Sequence, residues 1–143
     1  MDERSLPRRI RRHLITRSLS RLVDWQPLDE PQPGYTIIIG CVTELAGVAL
    51  ANLRALDRCD LSGAAEILLV FDRPLEQVDV INRLPRTVAG RPVRTLGYDA
   101  RQDRTARRIG WGWVYSWMSW SIGIGASRTR SVILHDLDAM PLS

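Results

Sequence analysis

The sequence of 143 residues contains no lysine, so arginine supplies all 20 of its basic side chains. Only two cysteines, Cys41 and Cys59, and two histidines, His13 and His135, are present, which is too few for a disulfide framework or a zinc site built from Cys and His. We therefore expect both cysteines to be reduced and buried. The N-terminus lacks the apolar core of a signal peptide, which favours a cytoplasmic protein, either free or peripheral on the inner face of the membrane.

Apolar residues make up 45% of the chain and charged residues 25%, which excludes a wholly disordered protein, a collagen-like repeat and a polytopic membrane protein. The formal net charge of +4 is unevenly distributed. Residues 4–21 contain seven arginines and no acidic residue, whereas residues 22–143 contain 13 arginines and 14 acidic residues. The excess positive charge is therefore confined to an N-terminal arm, and the remainder of the chain is almost neutral.

The arm, residues 1–23, has the pattern of a basic amphipathic helix, with arginines filling most positions between the apolar ones. The apolar stripe comprises Leu6, Ile10, Leu14 and Leu22, with Ile15 and Leu19 slightly off its axis. Such a helix either docks its stripe on the domain or lies, through residues 4–23, on an anionic membrane surface. Nucleic acid is a less favoured partner, because no aromatic residue interleaves the arginines to stack on bases.

A proline-rich linker, residues 24–34, precedes a domain over residues 35–143. The domain alternates apolar, β-branched runs with helical patterns, which is typical of βαβ units and of a Rossmann-like parallel sheet of the α/β class. Strands are predicted over 35–42, 66–71, 93–97 and 131–135, and helices over 44–58 and 74–83. Thr43 is positioned to cap the first of these two helices.

Residues 109–127 carry no charge and contain four of the five tryptophans. The stretch is long enough to cross a membrane, but its glycines and serines dilute its hydrophobicity. One helical face carries Trp113, Trp117, Trp120 and Ile124. We therefore predict a crossover helix that packs this face on the sheet, and the alternative is a surface that binds a partner.

Acidic residues follow the predicted strands, at the edge of a parallel sheet where ligands bind. Asp136 and Asp138 leave the last strand one residue apart and can turn to the same side, with Leu137 in the core. Two such carboxylates can bind Mg²⁺ or Mn²⁺, and the metal can bridge the phosphates of a nucleotide. The alternative is a polar turn that caps the next segment. We expect His135 in the core or supporting the site, not as a ligand.

The order of motifs resembles the nucleotide-binding half of GT-A glycosyltransferases, most closely family 2. The chain shows a buried strand, a helix, Leu68-Leu-Val-Phe-Asp72, a basic crossover and Val132-Ile-Leu-His-Asp136-Leu-Asp138. The resemblance covers residues 35–143 and implies a transferase that takes a sugar from a nucleotide-diphosphate sugar and passes it to an unknown acceptor.

The resemblance also implies roles for individual residues. Asp72 matches the acid that contacts the base or ribose of the nucleotide. Asp136 and Asp138 match the pair that holds Mn²⁺ or Mg²⁺ on the diphosphate. Thr43 and Glu44 match the turn that lines the nucleotide pocket.

The sequence departs from the family pattern at several points. It reads Val-Phe-Asp-Arg-Pro around Asp72, where the family often has Val-Asp-Asp-Gly-Ser, and it lacks the Arg-Asn pair before the crossover helix. Residues 86–108 carry a net charge of +5, so candidate contacts to the diphosphate are Arg104, Arg107 and Arg108. The family's acceptor-binding half and catalytic base have no counterpart after Asp138, which leaves the catalytic residues unassigned.

Two other interpretations use the same residues. The segment from Val132 to Asp138 also resembles the nucleophile strand of haloacid-dehalogenase-like phosphatases, in which the first Asp attacks phosphorus and the second is the acid–base catalyst. That family continues with Gly-Thr-Leu, whereas this chain continues with Ala139-Met-Pro. The third interpretation is a non-enzymatic accessory domain that binds partners through its arginine arm and tryptophan-rich face.

Overall fold

A computed structural model describes residues 7–25 and 28–138 of the chain. The helices in these ranges are α1 (Arg8–Ser20), α2 (Ala46–Leu56), α3 (Ala100–Ile109) and α4 (Gly112–Ala126). The strands are β1 (Gln32–Cys41), β2 (Ala64–Phe71), β3 (Thr87–Val88), β4 (Arg91–Gly97) and β5 (Thr129–His135). Single turns of 3-10 helix cover Thr43–Leu45, Leu75–Gln77 and Ile81–Arg83. The alternation of strands and helices follows from the alternation of apolar runs and helical patterns in the sequence.

Within the described residues, the strands form a sheet in the order β3-β4-β2-β1-β5. β4, β2, β1 and β5 run parallel, and the two-residue β3 is antiparallel to β4. The chain winds outward from β1 to β2 and β4, then crosses back to place β5 on the other side of β1. The predicted α/β class, a Rossmann-like sheet preceded by a helix, is therefore confirmed. The winding reverses between β1 and β5, which is where an open parallel sheet binds ligands.

Each face of the sheet has its own apolar core, because the central strands are buried on both sides. Ile39 of β1 packs with Leu53 of α2 on one face. Ile38 of β1 packs with Met118 of α4 on the other. Leu19 of α1 belongs to this second core and is completely buried. The arm helix thus docks on the domain.

α4 is the predicted crossover helix, but it packs a different face on the sheet. Val114 and Met118 are fully buried, and a Cβ added at Gly123 would overlap the side chain of Ile38. Small residues therefore let the helix approach the strand. The predicted packing face is only partly confirmed: Trp113, Trp117 and Trp120 are half-buried and pack against the second core, whereas Ile124 is exposed. Every helix in the described ranges is too short or too polar to cross a membrane.

Other elements also differ from the predictions. β1 begins at Gln32, within the predicted linker, because the Gln32 amide donates to the Arg128 carbonyl and extends the pairing with β5. Two 3-10 turns replace the helix predicted over 74–83. α3 was not predicted as a separate helix because it is largely arginine and polar. It begins at a capping box in which Asp99 and Gln102 exchange hydrogen bonds with each other's backbone.

Candidate functional site

A cleft of about 550 Å³ lies at the carboxyl ends of β1, β2 and β5. Its volume is in the range of small-molecule sites, and its position is the point where the winding reverses. The ionised side chains that line it, among the described residues, are the carboxylates of Glu44, Asp72, Asp136 and Asp138 and the guanidinium of Arg73. Their formal charge is −3. A cleft of this charge favours cations, or anions that bind together with a cation.

β5 leads directly into the paired acids. Asp136 and Asp138 are exposed and both line the cleft, whereas Leu137 between them is only 9% exposed and belongs to the core. The predicted turn of both acids to one side is therefore confirmed. Asn52 of α2 fixes this turn: its Nδ2 donates to the Leu137 carbonyl at 3.2 Å, and its Oδ1 lies 3.0 Å from His135 Nε2. His135 supports the turn through Asn52, as expected, and it also lines the cleft.

The chemistry of Asp136 and Asp138 fits a hard divalent cation with a shared coordination shell. In the part of the chain that the structure describes, no group of three or more His, Cys, Asp or Glu side chains is placed to hold a metal ion. A cation held by these two carboxylates would therefore complete its shell with water or with oxygen atoms of a bound ligand. Mg²⁺ is commonly bound in this way, through one or two carboxylates and substrate phosphates.

Asp72 and Thr43 form a hydrogen-bonded unit beside the cleft. Asp72 Oδ1 accepts hydrogen bonds from the Thr43 amide at 2.9 Å and from Thr43 Oγ1 at 2.7 Å. Asp72 is 4% exposed and lines the cleft, whereas Thr43 lies behind it. Thr43 therefore positions Asp72. Thr43 does not cap α2, because its hydroxyl donates to Asp72. α2 begins at Ala46 and has no side-chain cap.

Arg73 is a cleft residue that the sequence reasoning missed. Its Nη1 donates to the Asp72 carbonyl at 2.8 Å, and its guanidinium lies 3.5 Å from Glu44 and 3.4 Å from Asp103. The loop that carries it packs tightly, because a Cβ at Gly97 would lie 2.5 Å from the Arg73 carbonyl oxygen. Its place directly after Asp72, at the end of a buried strand, was the signal that could have identified it.

The arginines predicted to contact a diphosphate are not brought to the cleft. Arg104, Arg107 and Arg108 are exposed on α3, and none of the three lines the cleft. Arg107 Nε donates to Asp103 Oδ1 at 2.9 Å, and this hydrogen bond raises the pKa of the Arg107 guanidinium. Because Asp99 fixes where α3 starts, these arginines face solvent, and Arg73 takes the place beside the cleft instead.

α4 contributes an aromatic wall to the cleft, which the sequence pattern did not predict. Tyr115 and Trp120 line the cleft together with Ser119. Tyr98 supports this wall, because its hydroxyl donates to the Tyr115 carbonyl at 2.8 Å and lies 3.0 Å from Ser119 Oγ. Burial raises the pKa of Tyr98, so its hydroxyl stays protonated and available as a donor. The cleft thus combines aromatic surface with a carboxylate-rich edge.

Cys41 lines the cleft but is not a candidate nucleophile. Burial, followed by the charge of Asp72, raises the pKa of its thiol to about 12. The reactive thiolate is therefore scarce near neutral pH. Cys41 and Cys59 are both free thiols, as predicted; Cys41 is buried and Cys59 is half-buried.

The chain matches none of the known protein families, curated proteins or solved structures with which it was compared. Function is therefore inferred from the fold and from the cleft itself.

Proposed function

We propose that this chain is the nucleotide-binding part of a GT-A-type glycosyltransferase. Its cleft would bind a nucleotide-diphosphate sugar together with Mn²⁺ or Mg²⁺ at Asp136 and Asp138. The proposal rests on one observation. β2, β1 and β5 are adjacent parallel strands, and the residues that follow them, including Asp136 and Asp138, meet in one cleft at the point where the winding reverses. The resemblance of the motifs to family 2 points in the same direction.

Electrostatics supports a metal-dependent ligand. The four carboxylates of the cleft outweigh Arg73, so a bare diphosphate would be repelled. A divalent cation held by Asp136 and Asp138 would reduce the formal charge of the cleft from −3 to −1 and would itself attract the diphosphate. The proposal therefore requires that nucleotide binding depend on the metal.

The remaining cleft residues suit a nucleoside. Tyr115 and Trp120 supply flat apolar surface, on which a base or sugar ring can stack. Asp72 supplies a carboxylate for a ribose hydroxyl or a base N–H. Its Oδ1 is held by both Thr43 donors, so the side chain is positioned before the ligand arrives. Because Asp72 is already ordered, less conformational entropy is lost when the ligand binds.

In the proposed reaction, an acceptor hydroxyl displaces the nucleoside diphosphate from the sugar. When bound, the divalent cation offsets the charge that develops on the leaving diphosphate. Asp136 and Asp138 hold that cation, and Arg73 is the guanidinium near enough to the cleft to contribute further positive charge.

The test is calorimetric titration of the full chain with UDP and with GDP, in Mn²⁺, in Mg²⁺ and in EDTA. We expect binding in at least one metal and none in EDTA. The Asp136→Asn/Asp138→Asn variant keeps the shape of the turn and removes both charges, so we expect nucleotide affinity to fall by at least about tenfold. Thermal unfolding of this variant checks that the fold is retained.

The matched control is Asp29→Asn, which makes the same chemical change at an exposed residue outside the cleft lining. It should bind nucleotide like the wild-type protein. Absence of metal-dependent binding at millimolar UDP and GDP would refute the proposal. Unchanged binding by the Asp136→Asn/Asp138→Asn variant would place the metal elsewhere.

A further inference from the structure

α1 has a second apolar face that its docking on the domain leaves uncovered. Leu19 is completely buried against the core, whereas Ile10 and Leu14 are 48% and 49% exposed. At about 100° per residue, Ile10 lies on the side of the helix opposite Leu19. The arm helix therefore does both of the things that the sequence left as alternatives: it buries Leu19 against the domain, and it keeps Ile10 and Leu14 exposed.

The exposed face is strongly basic. On the helical wheel, Arg17 and Arg21 lie within about 20° of Ile10, and both are exposed. α1 and its cap residue Arg21 contain six arginines and no acidic residue. Two aliphatic side chains framed by arginine guanidiniums match the composition of an interfacial helix, which inserts its apolar residues among lipids and its cations among headgroups.

A pocket of about 530 Å³ lies at the start of α1, on the side of the helix that faces α4, since Arg8 and Arg12 lie about 160° from Ile10 on the helical wheel. Arg11 stacks on Trp111 at 4.7 Å from the ring centroid, and Arg12 stacks on Trp113 at 5.1 Å. Arg8 also lines the pocket, and the residues that line it include no acidic side chain. These guanidiniums add to the positive charge at this end of the helix, and that charge attracts an anionic surface.

We propose that the exposed face of α1 docks the protein on an anionic lipid surface, with Ile10 and Leu14 inserted among the lipids. The positive charge of α1 matches an anionic partner. Its two exposed aliphatic side chains favour a lipid surface over a nucleic acid, because they can insert among lipids. The pocket and the cleft share Gly112 in their linings, so the start of α1 lies beside the candidate nucleotide site. This proposal does not depend on the function proposed for that site.

The experiment is flotation of the full chain with vesicles, without nucleotide or metal. Wild-type protein should float with vesicles of 70% phosphatidylcholine and 30% phosphatidylserine and should not float with phosphatidylcholine alone. Ile10→Ser/Leu14→Ser should weaken binding by about tenfold or more, because insertion loses its apolar area. Both residues are exposed, so the variant should unfold at the wild-type temperature.

Arg17→Gln/Arg21→Gln tests the charge. Each arginine near an anionic surface contributes about fivefold in affinity, so this variant should bind about 25-fold more weakly. The matched control, Arg54→Gln/Arg58→Gln, removes the same charge from exposed positions in or just after α2, the helix on the other face of the sheet. It should float almost like the wild-type protein.

Three outcomes overturn the proposal. The first is absence of flotation with phosphatidylserine vesicles. The second is equal loss in the control at Arg54 and Arg58, which would mean that only net charge matters. The third is normal flotation of the Ile10→Ser/Leu14→Ser variant together with complete competition by a single-stranded oligonucleotide, which would identify a polyanion-binding surface instead.

Discussion

Thr43→Val isolates the hydrogen bond that positions Asp72. Valine keeps the β-branched shape of threonine and removes the hydroxyl, so Asp72 Oδ1 loses the donor at 2.7 Å and keeps the Thr43 backbone amide at 2.9 Å. Because Asp72 is 4% exposed, little water can replace the lost donor. The substitution therefore leaves a buried carboxylate less well satisfied.

The expected cost follows from the charge of the acceptor. A hydrogen bond to a charged group contributes about 1.5–3 kcal/mol, so we expect the free energy of unfolding to fall by about 2 kcal/mol. For a chain of this size that corresponds to a drop of about 4–8 °C in Tm. If the cleft binds nucleotide as proposed, affinity should also fall, because Asp72 is no longer held in one position.

The assay is urea unfolding of wild-type, Thr43→Val and Thr43→Ser proteins, followed by titration with nucleotide. Serine retains the hydroxyl and loses one methyl group, so its cost should stay near 0.8 kcal/mol, roughly that of one buried methylene. The reasoning is refuted if Thr43→Val is as stable as the wild-type protein. It is also refuted if Thr43→Ser is destabilised as much as Thr43→Val.

Three further predictions concern stability and reactivity. Glu66 is 1% exposed and accepts a hydrogen bond from Arg94 Nη1 at 2.8 Å, so Glu66→Gln should lower the free energy of unfolding by about 3 kcal/mol in a urea titration. Gly123→Ala places a methyl group into a β1 side chain and should lower Tm by several degrees in a thermal melt. Iodoacetamide at pH 8, read by mass spectrometry, should modify Cys59 faster than Cys41 in the folded protein and both equally in urea.

Each of these has a result that would contradict it. For Glu66, the informative comparison is Glu66→Gln/Arg94→Gln, which removes both charges and keeps an Oε1 acceptor for the Arg128 amide and Thr36 Oγ1; it should recover part of the loss, and no recovery would mean that the pairing is not the cause. For Gly123, a wild-type Tm would show that the helix can move away from the strand. For the thiols, equal alkylation of Cys41 and Cys59 in the folded protein would contradict the burial of Cys41.

Much of the fold could be predicted because its signals are local. A β-branched run such as Thr36-Ile-Ile-Ile39 is specific for a strand buried on both faces, and its alternation with helical spacing indicates parallel crossovers. The placement of Asp136 and Asp138 is predictable for the same reason, since the ends of parallel strands meet at one edge of the sheet. Leu137 turns into the core because it alternates with these polar neighbours.

Other features depend on contacts between distant segments, and no local pattern encodes them. Helical spacing puts Trp113 and Ile124 on one apolar face. In the structure, the face that contains Gly123 lies against the sheet, because only a small residue lets α4 approach Ile38 of β1. Arg104 was a reasonable diphosphate contact by position in the chain, yet the start of α3 at its capping box turns it to solvent.

By itself, the sequence determined the α/β class, the parallel sheet, the free cysteines and the paired acids after the last strand, because periodicity and residue type are local properties. Tertiary structure alone decided that Thr43 holds Asp72 and that α1 buries Leu19 while exposing Ile10. These outcomes depend on how tightly side chains from separate elements pack and on which polar atoms then lie within hydrogen-bond distance. The absence of lysine had indicated only an arginine-rich chain. Among the described residues, the fold places some of the arginines on the docked helix α1, others on exposed α3, and Arg73 in the cleft lining.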